Sequence, residues 1–286
     1  MALQSRIVAF GDTSVMVRFA GDESASVLDF LYRRIAPVAA ATPHVTFHVV
    51  PGVDPGELSL YRDGRLLYDG DSPGQLANQL MSDTLYHIAD KSRAGMLIHA
   101  AAASYGGRAL LMPGTTGAGK SSLSVWLMQN GFDYLTDELI YVGLGADTVR
   151  GFVRPLNIKA RAREAVSSRF DFDANQDAVL TCPQAMLVSP ERVGAVAQSD
   201  VQSLGAILFP RFDADAKLTL RRLSPAQAGL RLMSCLINAR NLDGHGFPEA
   251  TRIARRVPAH ELIYGGYDQL DAALGDLRGM LLESAA

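Results

Sequence analysis

The chain has 286 residues, 48% of them hydrophobic and 20% charged, with a formal net charge of −3. That is ordinary globular composition, and a chain of this length can bury roughly 75% of the surface its unfolded form exposes, so one or two domains are expected. The mild acidity argues against a general nucleic-acid partner, and the absence of any apolar run near the roughly 20 residues of a membrane span argues against a membrane one.

In chain order, residues 1–90 read as a small α+β module. RIVAFG and SVMVRFAG have the look of strands, the second alternating apolar and polar. DESASVLDFLYRRIAPV places apolar residues at helical spacing, with acids at its start and arginines near its end as the helix dipole favours. VTFHVV is a further strand, with His44 and His48 at its two ends read as structural. LSLYRDGRLLYDG is a hairpin turning at Asp63-Gly64, where the turn needs positive φ. A helix is predicted from Ser72 to about Ala89, with Ser72 as N-cap and Pro73 in the first turn. The N-terminal MALQSRIVAF lacks the apolar run of a secretory signal, and a cytoplasmic location is the expectation.

Residues 91–286 read as a second, α/β domain. MLIHAAAAS and RALLMPG are apolar strands, followed by a helix from Lys120 to Gln129 that stops at Asn130-Gly131. FDYLTDELIYV reads as one strand, VRPLNIKARAREAVSSRF as an extended arm and a helix, and FDFDANQDAV as a polar loop. LGAILFP is a buried strand, and SPAQAGLRLMSCLINAR is a helix capped by Ser224 with Pro225 in its first turn. NLDGHGFPE reads as a Gly-rich surface loop, and PAHELIYGGYDQLDAALGDLRGMLLE as a closing strand and amphipathic helix. Cys182 and Cys235 match no metal-ligand spacing and read as small buried residues.

The chemistry is concentrated between the first strand pair and Val142. Gly114-Thr115-Thr116-Gly117-Ala118-Gly119-Lys120-Ser121, continued by Ser122, satisfies GxxxxGK[ST] in full. Glycines let successive backbone N–H groups point inward at phosphate oxygens, and the helix that follows adds its positive end. Lys120 would reach the outer phosphates and the Ser121 hydroxyl would ligate Mg²⁺, so ATP and Mg²⁺ are the expected cofactors.

Asp137 and Glu138 follow very soon after this loop. A helix of about 10 residues carries the chain about 15 Å away. A parallel strand starting at Phe132 regains about 16 Å by Asp137. The carboxylate therefore returns to the height of the phosphates at the carboxyl edge of the sheet. On a regular strand the two acids would face opposite ways, and both reach the phosphates only if the strand ends or kinks there. Asp137 is the expected general base for an attacking hydroxyl, and Glu138 a candidate Mg²⁺ ligand.

The combination of His99 in MLIHAAAASYGGRALLMPG, the loop GTTGAGKSS and the acidic strand GFDYLTDE resembles the HPr kinase/phosphorylase superfamily, in its catalytic domain and its shorter bacterial relatives. The likeness runs from about Met96 to Val142, weaker to Lys159 and again in the final strand. It implies a P-loop kinase core of the HPr kinase type, behind a small N-terminal α+β module. It also implies ATP-dependent phosphorylation of a serine hydroxyl in a peptide or protein, with Asp137 as base, Lys120 and Ser121 on phosphate and Mg²⁺, and His99 beside the phosphates. Unaided, a lone histidine on an apolar strand reads more often as a packed core residue. The family often forms oligomers, so a homo-oligomer is implied.

Three features depart from the family pattern. The second acid is Glu138, VRPLNIKARA stands in place of the Gly-rich Glu-containing signature, and residues 1–90 do not resemble the usual sensor domain. These argue against HPr itself as the substrate. The HPr-kinase-like relatives include kinases of natural-product precursor peptides, which implies that substrate class by analogy. A kinase of a small hydroxyl metabolite needs the same parts, and a nucleotide-binding regulatory or adaptor protein needs the loop alone. Arg154 and Lys159, and more distantly Arg211 and Arg240, are the cations available to neutralise phosphate charge.

Overall fold

The computed structural model of the chain describes residues 2–35, 42–197 and 201–282. β1 (Gln4–Phe10) and β2 (Thr13–Phe19) pair antiparallel across a turn at Gly11, whose φ is 60°. Helix α1 (Asp22–Tyr32) carries Asp22 and Glu23 in its first turn. Its expected extension to Val38 falls on residues 36–38, which lie outside the described ones. β3 (Thr46–Pro51) is followed by the hairpin β4 (Leu58–Arg62) and β5 (Arg65–Gly70), which turns on Asp63 and Gly64 at φ 46° and 84°. α2 (Pro73–Lys91) starts as the sequence indicates, with Ser72 Oγ accepting from the Gln75 N–H at 3.3 Å.

β6 (Gly95–Tyr105) and β7 (Arg108–Pro113) lead into α3 (Lys120–Gln129). The expected single strand after it is two, β8 (Asp133–Thr136) and β9 (Leu139–Gly143), broken by a bend at the acids. β10 (Thr148–Gly151), β11 (Leu156–Lys159) and the short α4 (Arg163–Ser167) follow. β12 (Val179–Cys182) and β13 (Ala185–Val188) were not legible in the sequence; they are too short to show a period. β14 (Val201–Phe212) is longer than its apolar centre, and β15 (Thr219–Arg222) is a short, mostly exposed edge strand.

α5 (Pro225–Cys235) has Ser224 and Gln227 in a reciprocal capping box, but it stops before the expected Arg240. Leu236 is already extended and bridges to Ile98, and Asn238 donates to Gly95 O and accepts from the Leu97 N–H, each at 2.9 Å. Sheet pairing thus takes over the chain where helical spacing would have continued it. Part of the expected surface loop is helix α6 (Phe247–Arg256), with Pro248 in its first turn and arginines in its last. β16 (Ala259–Tyr264) and α7 (Tyr267–Leu282) close the chain, with the expected Glu283 outside the described residues.

These elements form two compact units, residues 1–92 with 153–192, and residues 93–152 with 193–286. Residues 153–192, which the sequence division at residue 90 assigns to the second domain, cluster with the first unit. In the first unit a five-stranded sheet of order β1-β2-β3-β4-β5 packs against α2, whose buried residues include Leu76, Ala77, Leu80, Met81 and Ile88. The three-stranded sheet β11-β13-β12 packs on the same helix. The approach is close: a Cβ on Gly74 would lie 2.1 Å from Thr181 O. Gly74→Ala is therefore expected to destabilise this unit by about 1–3 kcal/mol, read as a lower urea midpoint at unchanged slope.

In the second unit an eight-stranded sheet has the order β10-β9-β6-β7-β14-β16-β15, with β8 on β6. β7, β14 and β16 are parallel, and β6 runs antiparallel to β7. Alanines 100–103 of β6 are fully buried; Ala101 and Ala103 face Leu123, Trp126 and Leu127 of α3, and Ala100 and Ala102 face Leu232 of α5 and Ile253 of α6. Alanine has weak strand preference, and here its small size lets helices cover both faces.

Glu261 on β16 accepts from Arg221 and Arg231 at 2.7 Å each, and these bonds hold its carboxyl below the usual range. Its stabilising effect is present above the unfolded glutamate pKa of about 4.3 and is lost as pH falls below that through the folded value. The Glu261→Gln variant is expected to show a shallower fall in melting temperature between about pH 5 and 3 than the parent protein.

Candidate active site

The loop after β7 ends the parallel core at its carboxyl edge, where α/β folds bind ligands. Gly117 and Gly119 have φ of 95° and 92°, a region side chains rarely adopt. At Gly119 space is also closed, since a Cβ would lie 2.5 Å from Tyr264 Oη and 3.1 Å from Phe212 Cβ. Three contacts from the far end of the chain brace the loop. The Phe212 N–H donates to Ala118 O at 3.2 Å, Tyr264 Oη to Gly119 O at 3.3 Å, and Tyr267 Oη to Ser122 O at 3.2 Å. Burial, with Tyr267 nearby, pushes the Tyr264 hydroxyl far above its ordinary range, so it stays a donor. Thr115, Thr116 and Gly117 are exposed, and Gly114, Ala118 and Gly119 partly so, leaving the rim of the loop open.

Lys120 is 7% exposed and folded back over this loop. Its Nζ donates to Gly114 O at 2.6 Å and Thr115 O at 3.2 Å, and lies 2.9 Å from His99 Nε2. His99 Nδ1 lies 3.0 Å from Glu138 Oε1. Ser121 Oγ donates to Asp137 Oδ2 at 2.9 Å, and Tyr134 Oη to Asp137 Oδ1 at 3.2 Å. His99, Lys120, Ser121, Asp137 and Glu138, chosen from sequence, are thus linked in one cluster. Asp137 is 1% exposed, whereas the Glu138 side chain is 32% exposed.

The bend between β8 and β9 puts both acids on the loop side. β8 and β9 share one edge of β6 and run antiparallel to it, so β8 points the same way as β7 with β6 beside it, rather than pairing in parallel as expected. Thr136 Oγ1 accepts from the backbone N–H of Glu138 at 3.3 Å and donates to Phe152 O at 2.8 Å. That side chain stands in for ladder partners at the break.

The donor set suits a hard divalent cation: the Ser121 hydroxyl and Asp137 carboxylate are adjacent oxygens at the start of α3. Among the described residues, no group of three or more His, Cys, Asp or Glu could hold a metal. A Mg²⁺ ion here would take its other ligands from nucleotide and water, as Mg²⁺ commonly does.

Arg211, at the end of β14, has a side chain 60% exposed and 3.9 Å from Asp213, and Arg240 lies in a single 3₁₀ turn. Arg154 and Lys159 belong to the first unit, where Arg154 is buried and donates to Pro155 O, while Lys159 is exposed. Cys182 and Cys235 are both buried. Burial pushes the Cys235 thiol up, partly offset by the Ser234 hydroxyl and the charge of Lys120. Sequence reasoning missed Tyr134, Phe212, Tyr264 and Tyr267. A tyrosine three residues before the acid, and a tyrosine pair around Gly265-Gly266, were the available signals.

No family model and no curated protein matches the chain. Among solved structures, the Hpr(Ser) kinase/phosphatase from Coxiella burnetii aligns over 66% of this chain and 99% of its own, at 12% identity and a TM-score of 0.36.

Proposed function

We propose that the chain is an ATP- and Mg²⁺-dependent phosphotransferase that moves the γ-phosphoryl group to a serine hydroxyl of a peptide or protein. A natural-product precursor peptide is the substrate class that the sequence resemblance favours. The observation that carries the reading is the return of Asp137 to within 2.9 Å of Ser121, beside a GxxxxGK[ST] loop seated between β7 and α3. Bound Mg²⁺ would neutralise charge on the phosphate oxygens. Loop amides and Lys120 hold the transferring group, releasing Lys120 from its own loop carbonyls.

When the Ser121 hydroxyl turns toward the metal side, Asp137 Oδ2 gains room to accept from the acceptor hydroxyl. As the acceptor oxygen bonds to the γ-phosphorus, its proton passes to Asp137. The bond from that phosphorus to the β-γ bridging oxygen breaks, and ADP leaves. The small exposure of Asp137 and the engagement of both its oxygens favour a second reading, in which nucleotide is bound for regulation without transfer.

Incubation with γ-labelled ATP, Mg²⁺ and an extract of the source cell separates the two. A labelled phosphoserine peptide supports the kinase, and mass spectrometry names the acceptor. Tight ATP binding with no label in protein, peptide or metabolite fractions supports the regulatory reading.

A further inference from the structure

One contact of Glu138 is made to the side of His99, whose other ring nitrogen meets Lys120. An ammonium has N–H donors and no lone pair, so His99 Nε2, 2.9 Å from Lys120 Nζ, must be the acceptor. With Nε2 accepting, the ring hydrogen sits on Nδ1, which donates to Glu138 Oε1 at 3.0 Å. A carboxylate fixes the tautomer and plane of an imidazole, and the imidazole fixes the direction of the lysine that is to meet the phosphates. The Ser121 hydroxyl, the metal-side group of the loop, bonds Asp137 instead.

We infer that Glu138 is a positioning residue for Lys120, acting through His99, and not the Mg²⁺ ligand that its place beside Asp137 suggests. This rests on the nucleotide-site reading above. On binding, Lys120 exchanges Gly114 O and Thr115 O for phosphate oxygens and keeps its contact with His99, so its ammonium is already held when the nucleotide arrives.

Glu138→Gln separates the two roles, because an amide oxygen still accepts from Nδ1–H but is a poor ligand for Mg²⁺. The probes are a non-hydrolysable ATP analogue, Mn²⁺ in place of Mg²⁺, and the ¹⁵N shifts of the His99 ring in the full chain. The expected results are an Nδ1–H tautomer in the parent protein and in Glu138→Gln, lost in Glu138→Ala. Analogue affinity falls about tenfold in Glu138→Ala and in His99→Ala. The double variant is no weaker than either single one, as expected for residues acting as a unit. In Glu138→Gln, analogue affinity is within about threefold of the parent and Mn²⁺ affinity of the protein–analogue complex is unchanged.

Loss of Mn²⁺ affinity in Glu138→Gln as large as in Glu138→Ala, or additive losses in the double variant, would overturn the inference. Absence of phosphoryl transfer with these binding differences intact would instead sink the kinase reading alone, and leave the positioning role supported.

Discussion

Asp137→Asn is expected to lower phosphoryl transfer by about 10²–10⁴-fold, the range lost when a positioned base is removed, while ATP affinity stays within about threefold. The carboxylate is buried and accepts from the Ser121 and Tyr134 hydroxyls. Asn is the better test than Ala, because it keeps polar atoms opposite both hydroxyls. Ala would remove the acceptor of the buried Tyr134 hydroxyl, at about 1–3 kcal/mol, and so mix a stability defect into the kinetics. Single-turnover transfer with saturating ATP isolates the step. An affinity loss with transfer per bound ATP preserved would remove Asp137 from the role of base.

The second large effect is expected at Gly119. A valine there must adopt φ near 92° and place its Cβ 2.5 Å from Tyr264 Oη. Positive φ in a β-branched residue costs about 1–3 kcal/mol, and the clash adds about 1–3 kcal/mol more. The loop relieves both by moving, which misdirects the N–H groups at the start of α3 and releases Lys120. Gly119→Val should therefore lose measurable ATP binding, with α/β content by circular dichroism retained, since the core around Trp126 is untouched. Tyr264→Phe keeps the packing and removes one brace on Gly119 O, so it should weaken binding by only a few-fold.

The candidate site residues were legible because a phosphate-binding loop needs a local string. The eight-position loop, the apolar strand before it and the helix Lys120–Gln129 are consecutive in the chain and stand in the structure as read. The return of Asp137 was legible too, since helix rise and strand rise fix the height that the chain regains. What could not be read was the hydrogen bonding between distant segments. Tyr264 and Tyr267 meet the loop from 145 residues away, and only the sheet order β7-β14-β16 brings them there. The His99–Lys120 contact depends on which face of β6 the histidine takes, and the run of alanines after it, buried on both faces, shows no period from which to read that face. The missed strands β12, β13 and β15 are 4 residues each and show no period. Helix α6 was hidden by the glycines of its entry turn, where Gly244, His245 and Gly246 all have positive φ.

The most direct test of the account is isothermal titration of ATP into the full chain, with and without Mg²⁺, for the parent protein and Lys120→Ala. The account predicts saturable one-site binding strengthened by Mg²⁺, and a loss of at least about tenfold in the lysine variant. Absence of binding by the parent protein, or equal affinity in both, would contradict the claim that this loop holds a nucleotide.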